Sequence, residues 1–149
     1  MPIFRTGSEE ETIALGEKLG REMPRRAVVV LIGNLGAGKT TLAKGLVKGL
    51  GAAQPDEVSS PTFTLIHEYP LGAAKTARAK VYHVDLYRLN DVRDAGTLGL
   101  DELAEKEAVV LIEWGERFPE LLPEERIEIR IAVCGGEQRE ITVTPIHHE

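Results

Sequence analysis

Residues 33–40, GNLGAGKT, match the phosphate-binding pattern G-x-x-x-x-G-K-S/T at each of its fixed positions. Glycines let backbone N–H groups curve around phosphate oxygens, and a helix that starts here points the positive end of its dipole at them. Lys39, expected in a solvated loop, brings a mobile positive charge to the β- and γ-phosphates, and the Thr40 hydroxyl offers a ligand for Mg²⁺. The predicted nucleotide-binding residues are Gly33, Asn34, Leu35, Gly36, Ala37, Gly38, Lys39, Thr40 and Thr41.

Magnesium in such a site also needs a carboxylate, which usually follows an apolar strand beside the phosphate loop. Two residues are candidates, because Glu113 follows the run VVLI and Asp85 follows the run VYHV. Glu113 ends the more apolar run, so we favour it as the metal ligand, whereas Asp85 could orient the attacking water or a water near the metal. Which of the two binds the metal directly stays open, and each could instead be a solvated carboxylate at a strand end.

The segment SSPTFT, residues 59–64, lies where GTPases keep the loop that senses the γ-phosphate. The hydroxyls of Thr62 and Thr64 could reach the metal or the phosphate, which would make this segment switch-like. The alternative is a polar turn that leads into a strand. The sequence contains no Asn-Lys-x-Asp motif, and no Asp-x-x-Gly follows the candidate strands, which argues against specificity for GTP by the usual route.

Other polar residues give a weaker indication of a functional role. Lys75, Arg78 and Lys80 form a small basic cluster, most simply read as a solvated loop. Trp114 is expected to contribute packing next to Glu113, and His83 is expected to face a neighbouring strand.

These residues must be positioned by elements that alternate between helix and strand. Ser8 and Glu11 fit a capping box before a helix that should end at Pro24. Apolar runs predict buried strands, and alternation with charges predicts a hairpin near the end of the chain. The predicted strands are 27–32, 62–69, 80–87, 108–112, 127–133 and 141–143. The predicted helices are one that follows Ser8 as its N-cap, one at 40–50, and short pieces within 91–107.

Length and composition set limits on the class of protein. The chain has 149 residues, of which 42% are hydrophobic and 28% charged, and we predict one globular domain over residues 1–149. A formal net charge of −6 argues against tight binding of nucleic acid by this chain alone. One cysteine, Cys134, excludes an internal disulfide framework. The sequence predicts neither a secretory leader nor a membrane span, which indicates a cytoplasmic protein.

Four stretches together resemble one family: GNLGAGKTTLAKGL, SSPTFTLIHEY, VYHVDLYRL and LIEWGER. In this order they resemble the TsaE (YjeE) family, small bacterial ATPases of tRNA threonylcarbamoyladenosine synthesis. The resemblance extends over about residues 12–143. The first stretch is shared by a large superfamily, and the other three make the resemblance specific.

The resemblance implies an α/β fold of the P-loop NTPase type, a three-layer sandwich with a mixed, partly parallel sheet and a C-terminal antiparallel hairpin. It implies ATP as substrate, Mg²⁺ held by Thr40 and Glu113, a catalytic need for Asp85 and Lys39, and a switch-like stretch at residues 62–64. It also implies that Arg139 and residues 6–9 line the nucleotide. The implied partners are TsaB and TsaD, of which TsaD transfers the threonylcarbamoyl group to adenosine 37 of certain tRNAs; contact with tRNA would be indirect.

Three functions from different classes follow from these observations. The first is an Mg²⁺-dependent ATPase, slow alone and stimulated by its partners, that drives or resets a tRNA-modifying complex. The second is a small-molecule kinase, although 149 residues leave little room for an acceptor-binding lid. The third is a nucleotide-sensing module with negligible turnover.

Overall fold

The computed structural model describes residues 2–24, 26–59, 61, 65–70, 80–96, 98–105 and 107–146. The strands are β1 (Ile3–Thr6), β2 (Ala27–Ile32), β3 (Ile66–Pro70), β4 (Lys80–Asp85), β5 (Ala108–Glu113), β6 (Arg126–Gly135) and β7 (Gln138–Ile146). The helices are α1 (Glu9–Arg21), α2 (Lys39–Gly49), α3 (Val92–Gly96) and α4 (Leu100–Glu105), with short 3₁₀ turns at Pro55–Glu57, Gly115–Arg117 and Pro119–Leu121. None of the described helices is long and apolar enough to cross a membrane.

The strands form one sheet in the order β1-β7-β6-β2-β5-β4-β3. Its centre is parallel, since β2 pairs with β5 and β6, and β5 pairs with β4. Its edges are antiparallel, because β3 pairs with β4, β7 with β6, and β1 with β7. The predicted mixed sheet with a C-terminal hairpin is therefore confirmed.

Apolar side chains on both faces of the sheet create the three layers. On one face, Val29 and Leu31 pack in a buried cluster with Leu42 and Leu46 of α2. On the other face, Val110 lies in a second buried cluster with residues of α4 and the 3₁₀ turns. Because β2 and β5 are covered on both sides, they consist of continuous apolar runs, as expected for central parallel strands.

The two long helices, α1 and α2, are in direct backbone contact. Gly16 and Gly20 of α1 face Gly45 and Gly49 of α2. A Cβ atom on Gly16 would lie 2.6 Å from the carbonyl oxygen of Leu42, a distance that real Cβ atoms do not adopt. Only glycine at these positions permits this separation of the helices, and α2 is the helix that carries the phosphate loop.

The first strand, β1, is an element that the sequence analysis missed. It pairs antiparallel with β7, so that Thr6 lies opposite Arg139. Ser8 is the N-cap of α1, as predicted, since its Oγ accepts from the Glu11 N–H. The Glu11 carboxylate accepts from the N–H of Gly7, one residue before the N-cap, and not from the Ser8 N–H that a full capping box uses. This pairing brings the beginning of the chain next to the hairpin and the phosphate loop.

The strand predicted at residues 62–69 is β3, at residues 66–70. Residues 62–64 lie outside the described residues, so the switch-like role of Thr62 and Thr64 stays a prediction. The described residue that follows them, Leu65, has a φ of 67°, and its carbonyl oxygen accepts from the Asp85 N–H at 2.9 Å. The strand predicted at 80–87 ends at Asp85, because the chain turns there: the Asp85 Oδ1 accepts from the Tyr87 N–H, and the Leu86 carbonyl oxygen accepts from the Leu89 N–H.

Candidate nucleotide-binding site

The phosphate loop, residues 33–38, connects the central strand β2 to α2. Gly38 is the N-cap of α2 with a φ of 111°, and Gly36 has a φ of 81°, a left-handed backbone that favours glycine. No side chain caps the start of α2. The first N–H groups of the helix are thus available to an anionic ligand, which is the geometry that binds phosphate.

The tip of the loop is formed by Asn34 and Leu35. The Asn34 carbonyl oxygen accepts from the Ala37 N–H at 2.9 Å, and the side chain of Leu35 is largely exposed. Gly33 packs against β6 so closely that a Cβ would lie 2.8 Å from the Ile131 carbonyl oxygen. The backbone of this loop is therefore tied to the sheet at its start and closed by its own turn at its tip.

Lys39 is buried, with 5% of its surface exposed, and the expectation that it lies in a solvated loop is wrong. Its Nζ donates to the Gly33 carbonyl oxygen at 2.7 Å and lies 3.1 Å from the centroid of the Trp114 ring. Burial lowers the pKa of Lys39 from its usual value, and the carboxylates of Glu116, Glu113 and Asp85 oppose that shift. The lysine is thus held between the loop and an aromatic ring, close to the cavity described below.

The two candidate carboxylates end neighbouring parallel strands. Asp85, the last residue of β4, is paired in register with Glu113, the last residue of β5. Glu113 is in turn paired with Leu31 of β2, two residues before the phosphate loop. Because parallel strands end at the same edge of a sheet, both carboxylates lie beside the loop, and both are buried.

Thr40 and Glu113, the two predicted metal ligands, are in contact. The Thr40 Oγ1 donates to the Glu113 carboxylate, at 3.1 Å from Oε2 and 3.2 Å from Oε1. Asp85 makes a different contact, because its Oδ1 accepts from the Tyr87 N–H at 2.9 Å. A hydroxyl and one or two carboxylates, completed by phosphates and waters, match the oxygen ligands that Mg²⁺ prefers. The described residues contain no group of three or more His, Cys, Asp or Glu side chains that could hold a metal without the nucleotide.

His83 does face a neighbouring strand, as expected, but the residue that it meets there is Glu113. The His83 Nε2 lies 2.5 Å from the Glu113 Oε2, and the imidazole is completely buried. Both oxygens of this carboxylate are thereby engaged by His83 and Thr40.

A cavity of about 450 Å³ lies over the phosphate loop. Its lining residues are Leu35, Gly36, Gly38, Lys39, Thr40, Thr41, Asp85, Tyr87, Glu113 and Trp114. Trp114, expected to contribute only packing, forms one wall with Tyr87, and their ring centroids are 4.9 Å apart. Trp114 also has a φ of 67°, which is uncommon for a residue other than glycine and sets its ring against Lys39.

A smaller cavity of about 190 Å³ adjoins the other side of the loop. Its lining includes Glu9, Thr41 and Arg139, so the structure brings residues from the N-terminal segment and the hairpin to the loop, where the resemblance implies them. The Arg139 Nε donates to the Ala37 carbonyl oxygen at 2.7 Å. Contact between these residues and a nucleotide stays a prediction.

The basic cluster is only partly within the described residues. Lys80 forms an ion pair with Glu68 across β3 and β4, which accounts for it without a ligand. Lys75 and Arg78 lie outside the described residues.

A three-layer α/β sheet with a glycine-rich loop between its central strand and the next helix defines a protein of the P-loop NTPase fold class. Residues 6–141 match the family described as "Threonylcarbamoyl adenosine biosynthesis protein TsaE". The chain belongs to this TsaE family, as the resemblance implied.

Similar proteins come from distant bacteria. The "tRNA threonylcarbamoyladenosine biosynthesis protein TsaE" of Bacillus subtilis is 41% identical over 143 residues, covering 96% of this chain and 85% of the relative. The protein of the same name from Treponema pallidum is 41% identical over 136 residues, covering 91% and 95%. A crystal structure of Bacillus subtilis YdiB aligns with a TM-score of 0.76 at 36% identity, covering 97% of this chain and 85% of that one.

Proposed function

We propose that this chain is the Mg²⁺-dependent ATPase of tRNA threonylcarbamoyladenosine biosynthesis, acting in the cytoplasm with TsaB and TsaD. The observation that carries the proposal is the meeting of Lys39, Thr40, Glu113 and Asp85 at one edge of the sheet, around a single cavity. Membership of the TsaE family, and the names of relatives that cover nearly the whole chain, support the pathway.

The chain's own residues supply binding, charge and water positioning. The N–H groups of the loop and the start of α2 hold the phosphates, and Lys39 moves its ammonium from the Gly33 carbonyl to the β- and γ-phosphate oxygens. Thr40 and Glu113 would hold Mg²⁺, which would supply positive charge to offset the negative charge developing on the phosphates. Asp85, at the end of the neighbouring strand, orients the attacking water and accepts its proton.

The arrangement of arginines favours slow hydrolysis by the isolated chain. Fast phosphoryl transfer often uses an arginine, supplied in cis or in trans, to stabilise charge on the γ-phosphate. Arg139 donates to the Ala37 carbonyl and Arg117 donates to the Tyr87 carbonyl, so both side chains are engaged by backbone. Among the described residues that line the cavity over the loop, Lys39 is the basic residue and no arginine is present. A partner that brings an arginine or excludes water would therefore accelerate the reaction.

We expect TsaB and TsaD, added with tRNA, to raise steady-state phosphate release from ATP by at least about tenfold, a lowering of the barrier by about 1.4 kcal/mol. The measurement compares the isolated chain, the chain with both partners, and the complex with tRNA. Complexes that contain Lys39→Ala control for contaminating ATPases. Turnover of several per second by the isolated chain with no effect of the partners would contradict the proposal. So would γ-phosphate recovered on an added small molecule, which would indicate a kinase.

Glu113→Gln is expected to raise the Mg²⁺ concentration for half-maximal ATP binding about tenfold or more, with ATP binding retained at saturating Mg²⁺. The change removes one negative charge beside Thr40 and conserves shape. Fluorescent ATP analogue binding, titrated with Mg²⁺, measures the effect. Glu120→Gln, which alters an exposed carboxylate in a 3₁₀ turn, is the matched control. An unchanged Mg²⁺ dependence in Glu113→Gln would remove Glu113 from the metal site.

A further inference from the structure

His83 lies below the nucleotide cavity and is not among its lining residues. It lies on β4, the second strand from one edge of the sheet, and has no exposed surface. Its Nε2 contacts the Glu113 Oε2 at 2.5 Å, while the Thr40 hydroxyl reaches the same carboxylate from the side of the phosphate loop. Glu113 is thus held by two donors, a buried imidazole in the sheet and a hydroxyl that the proposed function assigns to the metal.

The second nitrogen of the imidazole makes His83 an unfavourable choice for stability alone. The Nδ1 is buried and finds no hydrogen-bond partner among the described residues. An ionised Glu113 can only accept, so Nε2 carries the donated proton and Nδ1 remains unpaired, whether the ring is neutral or charged. Burying an unpaired polar atom lowers the free energy of unfolding. A leucine of similar size among these apolar strands would avoid that cost.

The two donors to Glu113 differ in what happens when a metal binds. If Thr40 serves as a metal ligand, the position of its oxygen is set by the cation, so its contact with Glu113 must adjust to the metal. The His83 contact comes from a completely buried ring on β4, which is paired on both sides, and it does not need to change. Histidine can therefore fix one carboxylate oxygen and leave the other, Oε1, directed toward the loop.

From this geometry we infer that His83 is a positioning residue, which holds the Glu113 carboxylate in the orientation that binds Mg²⁺ with the nucleotide. The inference rests on the proposed function, because it assigns Glu113 to the metal. Partners that orient a metal-binding carboxylate typically contribute 10–100-fold to metal affinity. The imidazole acts by donating one hydrogen bond, and it does not contact the nucleotide.

Three variants of His83 separate this role from simple packing. His83→Leu removes the donor and keeps the volume. His83→Gln places an amide nitrogen at the same number of bonds from Cβ as Nε2, whereas His83→Asn places it one bond short. His67→Leu, on β3 opposite His83 in the strand register, is the control for loss of a histidine from the same part of the sheet.

The test measures binding of a fluorescent ATP analogue as a function of Mg²⁺ concentration, together with the melting temperature. We expect His83→Leu and His83→Asn to need at least about tenfold more Mg²⁺ for half-maximal binding. His83→Gln should need less than either, and His67→Leu should match the parent. The melting temperature of His83→Leu should stay close to that of the parent, because removal of the unpaired Nδ1 opposes the loss of a donor to the buried Glu113.

The outcomes distinguish the inference from the proposed function. If the parent protein binds the nucleotide with a clear Mg²⁺ dependence and His83→Leu has the same dependence, His83 does not position Glu113 and the inference is wrong. If the three variants shift the Mg²⁺ dependence only in proportion to lost melting temperature, His83 is structural and the inference is also wrong. A parent protein whose nucleotide binding ignores Mg²⁺ would overturn both the metal site and this inference.

Discussion

Lys39→Ala is expected to weaken ATP binding about a hundredfold, while the free energy of unfolding changes by about 1 kcal/mol or less. The ammonium makes charge-assisted hydrogen bonds to phosphate, and losing about 3 kcal/mol of binding corresponds to about a hundredfold in affinity. Stability is less affected because two effects oppose each other. The mutation removes a buried charge, which is favourable, and also removes contacts with the Gly33 carbonyl and the Trp114 ring.

Calorimetric titration with Mg²⁺–ATP measures the affinity, and thermal unfolding measures the stability. Lys39→Met retains most of the aliphatic packing and should lose affinity to the same extent, which separates charge from packing. Lys44→Ala is the matched control, since Lys44 lies on the same helix and does not line the cavity. ATP affinity that is unchanged in a Lys39→Ala protein with the parent's melting temperature would remove Lys39 from the binding site.

Asp85→Asn is expected to lower the turnover number about a hundredfold in the complex with TsaB and TsaD, with ATP and Mg²⁺ affinities changed by less than about threefold. Asparagine cannot accept a proton from the attacking water, and positioned bases contribute about 10²–10⁴-fold to rates. Its side-chain oxygen can still accept from the Tyr87 N–H, so the turn after β4 should be retained. Asp101→Asn, an exposed change on α4, provides the matched control.

Comparing Asp85→Asn with Glu113→Gln distinguishes the residue that orients the water from the residue that binds the metal. The two carboxylates lie opposite each other in the strand register, so a general disturbance of this edge would affect both variants alike. We expect a turnover defect for Asp85→Asn and a Mg²⁺ defect for Glu113→Gln. The reverse pattern would mean that Asp85 binds the metal directly and that the roles assigned to the two residues are exchanged.

The phosphate loop and the strand-end carboxylates could be predicted from sequence because each depends on local pattern. The glycine-rich motif predicts the phosphate loop. The apolar runs before Asp85 and Glu113 predict buried strands, and parallel strands end at the same edge of a sheet. β1 could not be predicted in this way, since its four residues pair with β7, which is more than a hundred residues away in sequence. Its strand character comes from that distant partner.

The contacts of the site were harder to predict than its residues. The burial of Lys39 depends on the Trp114 ring, which the unusual φ of Trp114 turns toward the loop, and no sequence pattern specifies that backbone. The contact between His83 and Glu113 crosses from β4 to β5 on a diagonal of two residues, because His83 itself is paired with Leu111. The sequence shows a histidine, His83, two residues before the strand-end carboxylate Asp85. Only the strand register shows that this histidine contacts Glu113 on the neighbouring strand.

The glycine contact between α1 and α2 determines which parts of the site can move. Two helices whose backbones touch leave no space between them, so movement of α1 toward α2 would bring backbone atoms into collision. Apart from the Lys39 side chain, we therefore expect adjustment to a bound nucleotide on the opposite wall, where Tyr87 and Trp114 follow the ends of β4 and β5. The helix side of the site is thus held by backbone contacts, and a docking partner would act by changing the positions of Tyr87 and Trp114 on the other side.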